Sequence, residues 1–421
     1  MSDFNNTNIK HSLKGLYNKR FNQDKNLSQE NVEILDRICH DIAERNYDGF
    51  EAYNKILEYN LFDEDYYLAQ CEFEPEIDPL MHYIFFGHLK NLNPCEIFDT
   101  QYYRTFTGIG EDENPLVYLV NKGMYEGIIK VNEEIWQPQA INRFEMDEEI
   151  KNFNSYGLNC ECRDEKVIVS LTSYPKRISE VKYTIYSLLN QKIKPDKLVL
   201  WLSKEEFPNR ESDLPSELKE FLKHGLIIRW CDSIKSYKKL IPSLKEYPDS
   251  VIVTADDDLY YPEDWLEKLI KHHEKYPNEI VTHRSRKISF SDNVIDRYLV
   301  WKVSENEEDA SFLNFFTTGG GTLFAPNSLS DMIFNTDVYD RVCPTGDDIW
   351  FWAMAVLNGT KIRTVKDNLY DIMYVNPARD ILFNKDTLWS YNEHHNDEQL
   401  EALLKEFPEI NIKILDEYYK S

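Results

Sequence analysis

The chain has few of the features that mark a secreted, membrane-spanning or nucleic-acid-binding protein. Its seven cysteines, at 39, 71, 95, 160, 162, 231 and 343, form no C-x-x-C pair, and Cys160-x-Cys162 stands alone. A disulfide framework or thiolate metal site is therefore not indicated, and the thiols read as free in a reducing compartment. No apolar run approaches the ~18 residues that a membrane-spanning helix needs. The opening MSDFNNTNIKHSLKG lacks the apolar core of a secretory signal, so the expected location is the cytoplasm. Positive charge is also scarce: 48 Lys and Arg face 74 Asp and Glu, for a net charge of −26. Such a surface repels phosphate backbones, which excludes sequence-independent nucleic-acid binding and argues against a broad electrostatic membrane anchor. It attracts divalent cations. Neither G-x-G-x-x-G nor G-x-x-x-x-G-K-[ST] occurs, so neither a dinucleotide site nor a P-loop is indicated.

What is present suffices for well-packed domains. The 421 residues are 42% hydrophobic and 14% aromatic, with 27 Tyr and 22 Phe, and the length predicts two or three domains. Residues 1–30 read as a polar tail with short helical stretches, and 31–58 carry apolar residues at helical spacing. An internal repeat follows at an offset of 36 residues. Leu61-Phe62-Asp63-Glu64-Asp65-Tyr66-Tyr67 matches Ile97-Phe98-Asp99-Thr100-Gln101-Tyr102-Tyr103, Pro79-Leu80 matches Pro115-Leu116, and Gly87 matches Gly123. Asp63 and Asp99 are expected to cap helices, with the Tyr pairs pointing into the module; Pro79 and Pro115 suit the first turn of a second helix. Gly87 and Gly123 are expected at that helix's C-terminal cap. Residues 1–135 thus read as a helical module with repeats at about 60–94 and 96–130, and 136–164 as an acidic linker.

From residue 165 strands and helices alternate. The segments 167–172, 198–202, 226–231 and 251–255 are short, β-branched-rich and apolar on both faces, as strands of a covered parallel sheet are. A helix is expected over 179–191 with Ser179 as its cap, and another opening at Pro262. The alternation predicts a doubly wound α/β domain whose ligands bind beyond the carboxyl ends of the strands. At the end of the fourth candidate strand stand Asp256, Asp257 and Asp258. Adjacent carboxylates repel one another, and a divalent metal relieves this with one or two carboxylates plus phosphate oxygens. Strand alternation places Asp256 and Asp258 together, able to share a metal and a ribose, while Asp257 braces the loop. Thr172, Ser173, Tyr174 and Arg177 end the first strand and suit a nucleoside and diphosphate. Asp232 ends the third strand, with Lys238 and Lys239 nearby as diphosphate contacts. Gly319, Gly320 and Gly321 allow backbone to approach a ligand closely. Asp347 and Asp348 fall at a helix N-terminus, where the dipole holds carboxylates ionised and one of them can take a proton from a hydroxyl.

Together VIVSLTSYPKRI, TADDDLYYPEDW, TGGGTLFAP and GDDIW resemble the inverting glycosyltransferases with a single Rossmann-like GT-A domain, family 2 and its relatives in bacterial surface-polysaccharide synthesis. The order and spacing match from about 165 to 375. The resemblance implies a nucleotide-binding half over 165–280, an acceptor half over 281–375 and a C-terminal helical extension over 376–421. It implies that Asp258 binds Mn²⁺ or Mg²⁺ and Asp256 the metal or ribose. Thr172, Tyr174, Arg177 and Asp232 then surround the nucleoside, and Lys238 or Lys239 lies near the diphosphate. The acidic motif here is Asp-Asp rather than Glu-Asp, which leaves Asp347 and Asp348 both in view as the base, with Asp348 favoured by alignment. His394 or His395 matches a C-terminal histidine ligand of some relatives. The FDxxYY repeats also resemble modules found beside such domains.

The implied activity is metal-dependent, inverting transfer of a hexosyl or N-acetylhexosaminyl group. The donor would be a nucleoside-diphosphate sugar, with UDP favoured, and the acceptor a saccharide or lipid-linked glycan. Location at the inner face of the membrane, self-association and protein docking through the helical module are compatible with this reading. Two other classes stay open: a metal-dependent phosphoesterase or nucleotidyltransferase, and a non-catalytic scaffold acting through the repeats.

Overall fold

The computed structural model describes residues 29–44, 47–72, 77–304, 306, 308–366, 368, 372–383 and 388–420. The polar tail before residue 29 lies outside them. The chain divides into two units: 1–144 with 376–384, and 145–375 with 385–421.

The first unit is helical. Its described helices include α1 (Gln29–Glu44), α2 (Asp48–Glu58), α3 (Glu64–Leu68), α4 (Pro79–Phe85), α5 (Thr100–Thr107) and α6 (Pro115–Tyr118). The 36-residue offset reappears as contacts. Asp63 accepts from Tyr66 N at 2.9 Å and Asp99 from Tyr102 N at 2.7 Å, so each caps its helix. Pro79 and Pro115 open α4 and α6 behind the capping side chains of Asp78 and Asn114. Of each Tyr pair only the second turns inward: Tyr67 and Tyr103 are fully buried, while Tyr66 is 36% exposed. The glycines differ from expectation. Gly87 and Gly123 do not have positive φ and form no C-terminal cap; those conformations belong to Gly108 and Gly127. A Cβ on Gly87 would overlap the Tyr67 hydroxyl, and one on Gly123 the Tyr103 hydroxyl. Each glycine makes room for the buried tyrosine of its own repeat. The segment 376–384 belongs to this unit, where Ala378 and Leu382 join the core and Phe383 stacks on Tyr59 at 4.3 Å.

The second unit is an α/β fold around eight strands: β1 (Val167–Thr172), β2 (Lys197–Ser203), β3 (Leu226–Cys231), β4 (Val251–Thr254), β5 (Ile280–Thr282), β6 (Glu308–Ser311), β7 (Thr322–Phe324) and β8 (Ile362–Thr364). Their order is β6-β8-β5-β7-β4-β1-β2-β3. The four strands expected from the sequence form the parallel run β3-β2-β1-β4. The remainder is mixed, because β7 inserts antiparallel between β4 and β5. Strands β1 and β4 are buried on both faces, which accounts for their unbroken apolar sequence.

Among the helices are α7 (Val181–Leu189), α8 (Trp265–Lys275), α9 (Asp347–Asn358), α10 (Leu388–Glu406) and α11 (Pro408–Lys420). The residue before α7 is Glu180 rather than Ser179, and it makes no side-chain cap. Helix α8 starts at Trp265, not Pro262, because Trp265 N closes a turn on Pro262 O at 3.0 Å. Helix α9 is buried along nearly its whole length, and α10 and α11 contribute Leu400, Leu403, Ile410 and Ile414 to the same core. Among the described residues no helix is long and apolar enough to cross a membrane.

Candidate active site

Four sequence-distant segments meet at the carboxyl ends of β1 and β4. The first is the loop after β4. The chain leaves the strand at Thr254 and turns, so the alternation expected of Asp256, Asp257 and Asp258 does not hold. Asp257 and Asp258 instead share Arg177: its Nη1 lies 3.2 Å from Asp257 Oδ1 and bonds Asp258 Oδ2. Asp257 is buried and also accepts from Ser173 Oγ at 2.5 Å, so it braces the loop against the end of β1. Burial pushes its carboxyl up to about 6 against the opposing pull of Arg177. The loop is pinned from its other side by the short pairing of Leu259–Tyr260 with Met373–Tyr374 and by Val375 N donating to Asp258 O at 2.8 Å.

The second segment is the glycine loop leading into β7. Its successive carbonyls are each held by a side chain. Thr254 Oγ1 donates to Thr318 O at 3.1 Å, Tyr261 OH to Gly319 O at 2.6 Å, and Trp265 Nε1 to Gly320 O at 2.9 Å. Two of the glycines are required by geometry. A Cβ at Gly319 would overlap Asp256 Oδ2, and Gly321 has φ +108° with its Cβ direction filled by Trp265.

The third segment is the N-terminus of α9. Asp348 Oδ1 accepts from Thr318 N at 3.0 Å and from Thr318 Oγ1 at 2.5 Å. Burial, reinforced by the neighbouring charge of Asp347, raises the Asp348 carboxyl to about 7, while Lys239 and the Thr318 hydrogen bonds oppose the rise. A carboxylate poised near neutrality is matched to general-base work. Helix α10 docks here: Gln399 Oε1 accepts from Thr345 N at 3.0 Å and Gly346 N at 2.8 Å, and Thr345 Oγ1 donates to Asn392 Oδ1 at 2.6 Å.

Lys239 joins these segments. Its buried ammonium lies 2.6 Å from Asp256 Oδ1, 3.3 Å from Asp347 Oδ2 and 3.1 Å from Thr318 Oγ1. Burial disfavours its charge, but Asp256, Asp347 and Asp348 outweigh that and hold its pKa well above 10.5. Lys239 is thus a buried counter-ion of Asp256 and Asp347. Lys238 turns away to Glu206 at 2.5 Å and is also buried.

The other predicted residues are spread more widely. Thr172 Oγ1 donates to Trp201 O at 2.8 Å, and the Arg177 guanidinium lies over Tyr174 at 5.8 Å from the ring centre. Asp232 is solvent-exposed and pairs with Lys204. His394 is exposed, and helical periodicity sets it on a different face of α10 from Asn392 and Gln399; His395 lies nearer their face, stacked on Tyr391. Sequence reasoning missed Thr318, Thr254, Tyr261 and Trp265. The last two stand in LYYPEDW, directly after the Asp triplet, where adjacency to the acidic motif was the available signal.

Among the described residues no group of three or more His, Cys, Asp or Glu side chains is arranged to hold a metal ion. A cation here would have at most Asp256 and Asp258. Each has one oxygen committed, to Lys239 and to Arg177 respectively, and their side chains are 36% and 26% exposed. That donor set fits Mg²⁺ or Mn²⁺, which take one or two carboxylates and complete the shell with phosphate oxygens and water.

Residues 244–333 match the family described as Glycosyl transferase family 2, about a fifth of the chain. The match includes Asp256, Asp257, Asp258 and the three glycines but stops before Asp347. No curated protein matches the chain. Among solved structures, Staphylococcus aureus TarS is similar at 12% identity and TM-score 0.33, over 50% of this chain and 36% of that one. The chain thus spans little more than a third of that protein. TarS 1-349 in complex with UDP-GlcNAc gives 13% and 0.34, over 50% and 57%. A CMP:2-keto-3-deoxy-manno-octonic acid synthetase complexed with CTP gives 9% and 0.32, over 48% and 89%. Likeness at this level is too weak to assign any ligand.

Proposed function

We propose that the chain is a glycosyltransferase that moves a hexosyl or N-acetylhexosaminyl group from a nucleoside-diphosphate sugar, a UDP-sugar first among them, to a hydroxyl of a saccharide or lipid-linked glycan, with inversion. The observation that carries the proposal is the joining of two acidic motifs in one site. Lys239 bridges Asp256 of the first motif and Asp347 of the second, and Thr318, which it also contacts, holds Asp348. The family 2 match over 244–333 supports the donor side of this reading.

In this mechanism the acceptor hydroxyl transfers its proton to Asp348 as its oxygen attacks the anomeric carbon. The bond from that carbon to the diphosphate oxygen breaks, and the electron pair leaves with the nucleoside diphosphate. Base catalysis of this kind supplies about 10²–10⁴-fold. Asp347, paired with Lys239, raises the proton affinity of Asp348 and is not the base. Arg177 offsets the charge of Asp257 and Asp258 as Lys239 offsets that of Asp256; Asp256 and Asp258 would hold Mg²⁺ or Mn²⁺, which supplies Lewis-acid stabilisation of the leaving group when bound. One displacement gives inversion.

We read the first unit as two helical repeats that dock a protein or a second copy of the chain, supported by the recurring Asp caps and Gly–Tyr contacts. Surface-polysaccharide synthesis on the cytoplasmic face of the membrane is the setting that suits a lipid-linked acceptor. The test is release of nucleoside diphosphate from a panel of nucleotide sugars with Mn²⁺ or Mg²⁺, with and without candidate acceptors. Acceptor-stimulated release lost in Asp258→Ala and Asp348→Ala supports transfer; release unaffected by any acceptor supports a phosphoesterase.

A further inference from the structure

The base itself is held by Thr318, the residue that opens the TGGGTLFAP loop. Lys239 Nζ approaches Thr318 Oγ1 at 3.1 Å, and an ammonium has protons to give and no lone pair to accept with. The Thr318 hydroxyl therefore accepts from Lys239, and its single proton goes to Asp348 Oδ1 at 2.5 Å. The Thr318 backbone is fixed as well. Its carbonyl accepts from Thr254 Oγ1 at 3.1 Å, and its N–H donates to the same Asp348 oxygen at 3.0 Å. Two donors thus converge on Oδ1. Among the described residues no hydrogen bond engages Oδ2.

We propose that Thr318 is a positioning residue for the base: oriented by Lys239, it locks Asp348 through Oδ1 and so presents Oδ2 to the acceptor hydroxyl. The proposal rests on the reading of Asp348 as the base. The groups facing Asp348 are Asp347 on its own helix, Lys239 from the turn after β3, Thr318 from the glycine loop and Tyr298, whose phenol burial pushes up to about 12 and keeps neutral. Of these, only Thr318 gives hydrogen bonds to the carboxylate, and they favour its ionised form.

The measurement is the pH profile of kcat/KM for wild type, Thr318→Val and Thr318→Ser, with Asp348→Ala as reference and thermal unfolding to verify folding. Valine keeps the β-branched shape and removes the hydroxyl donor. The expected result is an acid limb moved up by about one pH unit in T318V, kcat lowered about tenfold with donor KM little changed, and the wild-type limb restored in T318S. A purely structural threonine would lower the amplitude without moving the limb. An unmoved limb in folded T318V, or a T318S indistinguishable from T318V, overturns the proposal while D348A remains inactive. Full transfer activity in D348A would overturn the base assignment itself, and this proposal with it.

Discussion

Gly319 lies against Asp256 so closely that the space a side chain would need is already filled by the Oδ2 oxygen of that aspartate. The first acid of the triplet and the first glycine of the loop are one packed unit. A methyl group at 319 has to displace Asp256 from Lys239, because Tyr261 holds the Gly319 carbonyl in place. Gly319→Ala should therefore lose at least about tenfold in kcat/KM, about 1.4 kcal/mol of transition-state stabilisation. Steady-state kinetics across donor concentrations checks it; wild-type kinetics in a folded variant would show that the contact is incidental.

Activity should fall on acidification through about pH 7, where Asp348 takes up a proton. The carboxyl is raised, so the ionised base is present above that pH and lost below it. Asp347 is part of the cause. Asp347→Asn removes its negative charge, which lowers the Asp348 pKa, and the acid limb should move to lower pH by about half to one unit. A limb that moves upward would assign the titration elsewhere.

The two repeats make a paired prediction about stability. Gly87→Ala and Gly123→Ala should each cost about 1–3 kcal/mol, because the added methyl group meets a buried tyrosine hydroxyl. Tyr67→Phe removes the hydroxyl that Gly87→Ala would strike. The double variant should then be less destabilised than the sum of the two singles, a coupling that denaturation of all three measures. Strict additivity would mean that glycine and tyrosine do not share the space.

Asp257 and Asp258 are neighbours with separate roles. Asp257 is buried between Ser173 and Arg177, so Asp257→Ala leaves a buried cation short of a partner and should cost about 3–5 kcal/mol. Asp258 is partly exposed, and Asp258→Ala should fold normally while losing the response of activity to added Mn²⁺ or Mg²⁺. In wild type, chelation should abolish turnover and the metal should restore it. Turnover unchanged by chelation would remove the metal from the mechanism.

Much of this was legible in the sequence, for identifiable reasons. Strands β1, β2 and β4 were readable because burial on both faces makes their sequences largely apolar, and β3 because Leu226, Ile227 and Ile228 form a short apolar run. Asp63 and Asp99 were readable as caps because capping is a local event within four residues. Strand β7 was not visible: Thr322–Phe324 is three residues long, too short for any periodicity to register. The sequence places Lys239 near a diphosphate but does not show that it is buried between acids of two motifs. Its burial depends on acids 17 and 108 positions away, which no local pattern encodes. Thr318 was overshadowed by the glycines beside it, of which Gly319 makes room for Asp256.

Sugar transfer by one site with two acidic halves requires both a nucleotide-sugar donor and an acceptor. The most direct measurement is acceptor-dependent release of nucleoside diphosphate from a nucleotide-sugar panel, run on wild type, Asp258→Ala and Asp348→Ala, with the glycosylated product isolated. The expected result is metal-supported turnover of a single donor, a product of inverted anomeric configuration, and loss of at least about 10²-fold in Asp348→Ala. Turnover that survives in Asp348→Ala, or a product that retains configuration, would contradict it.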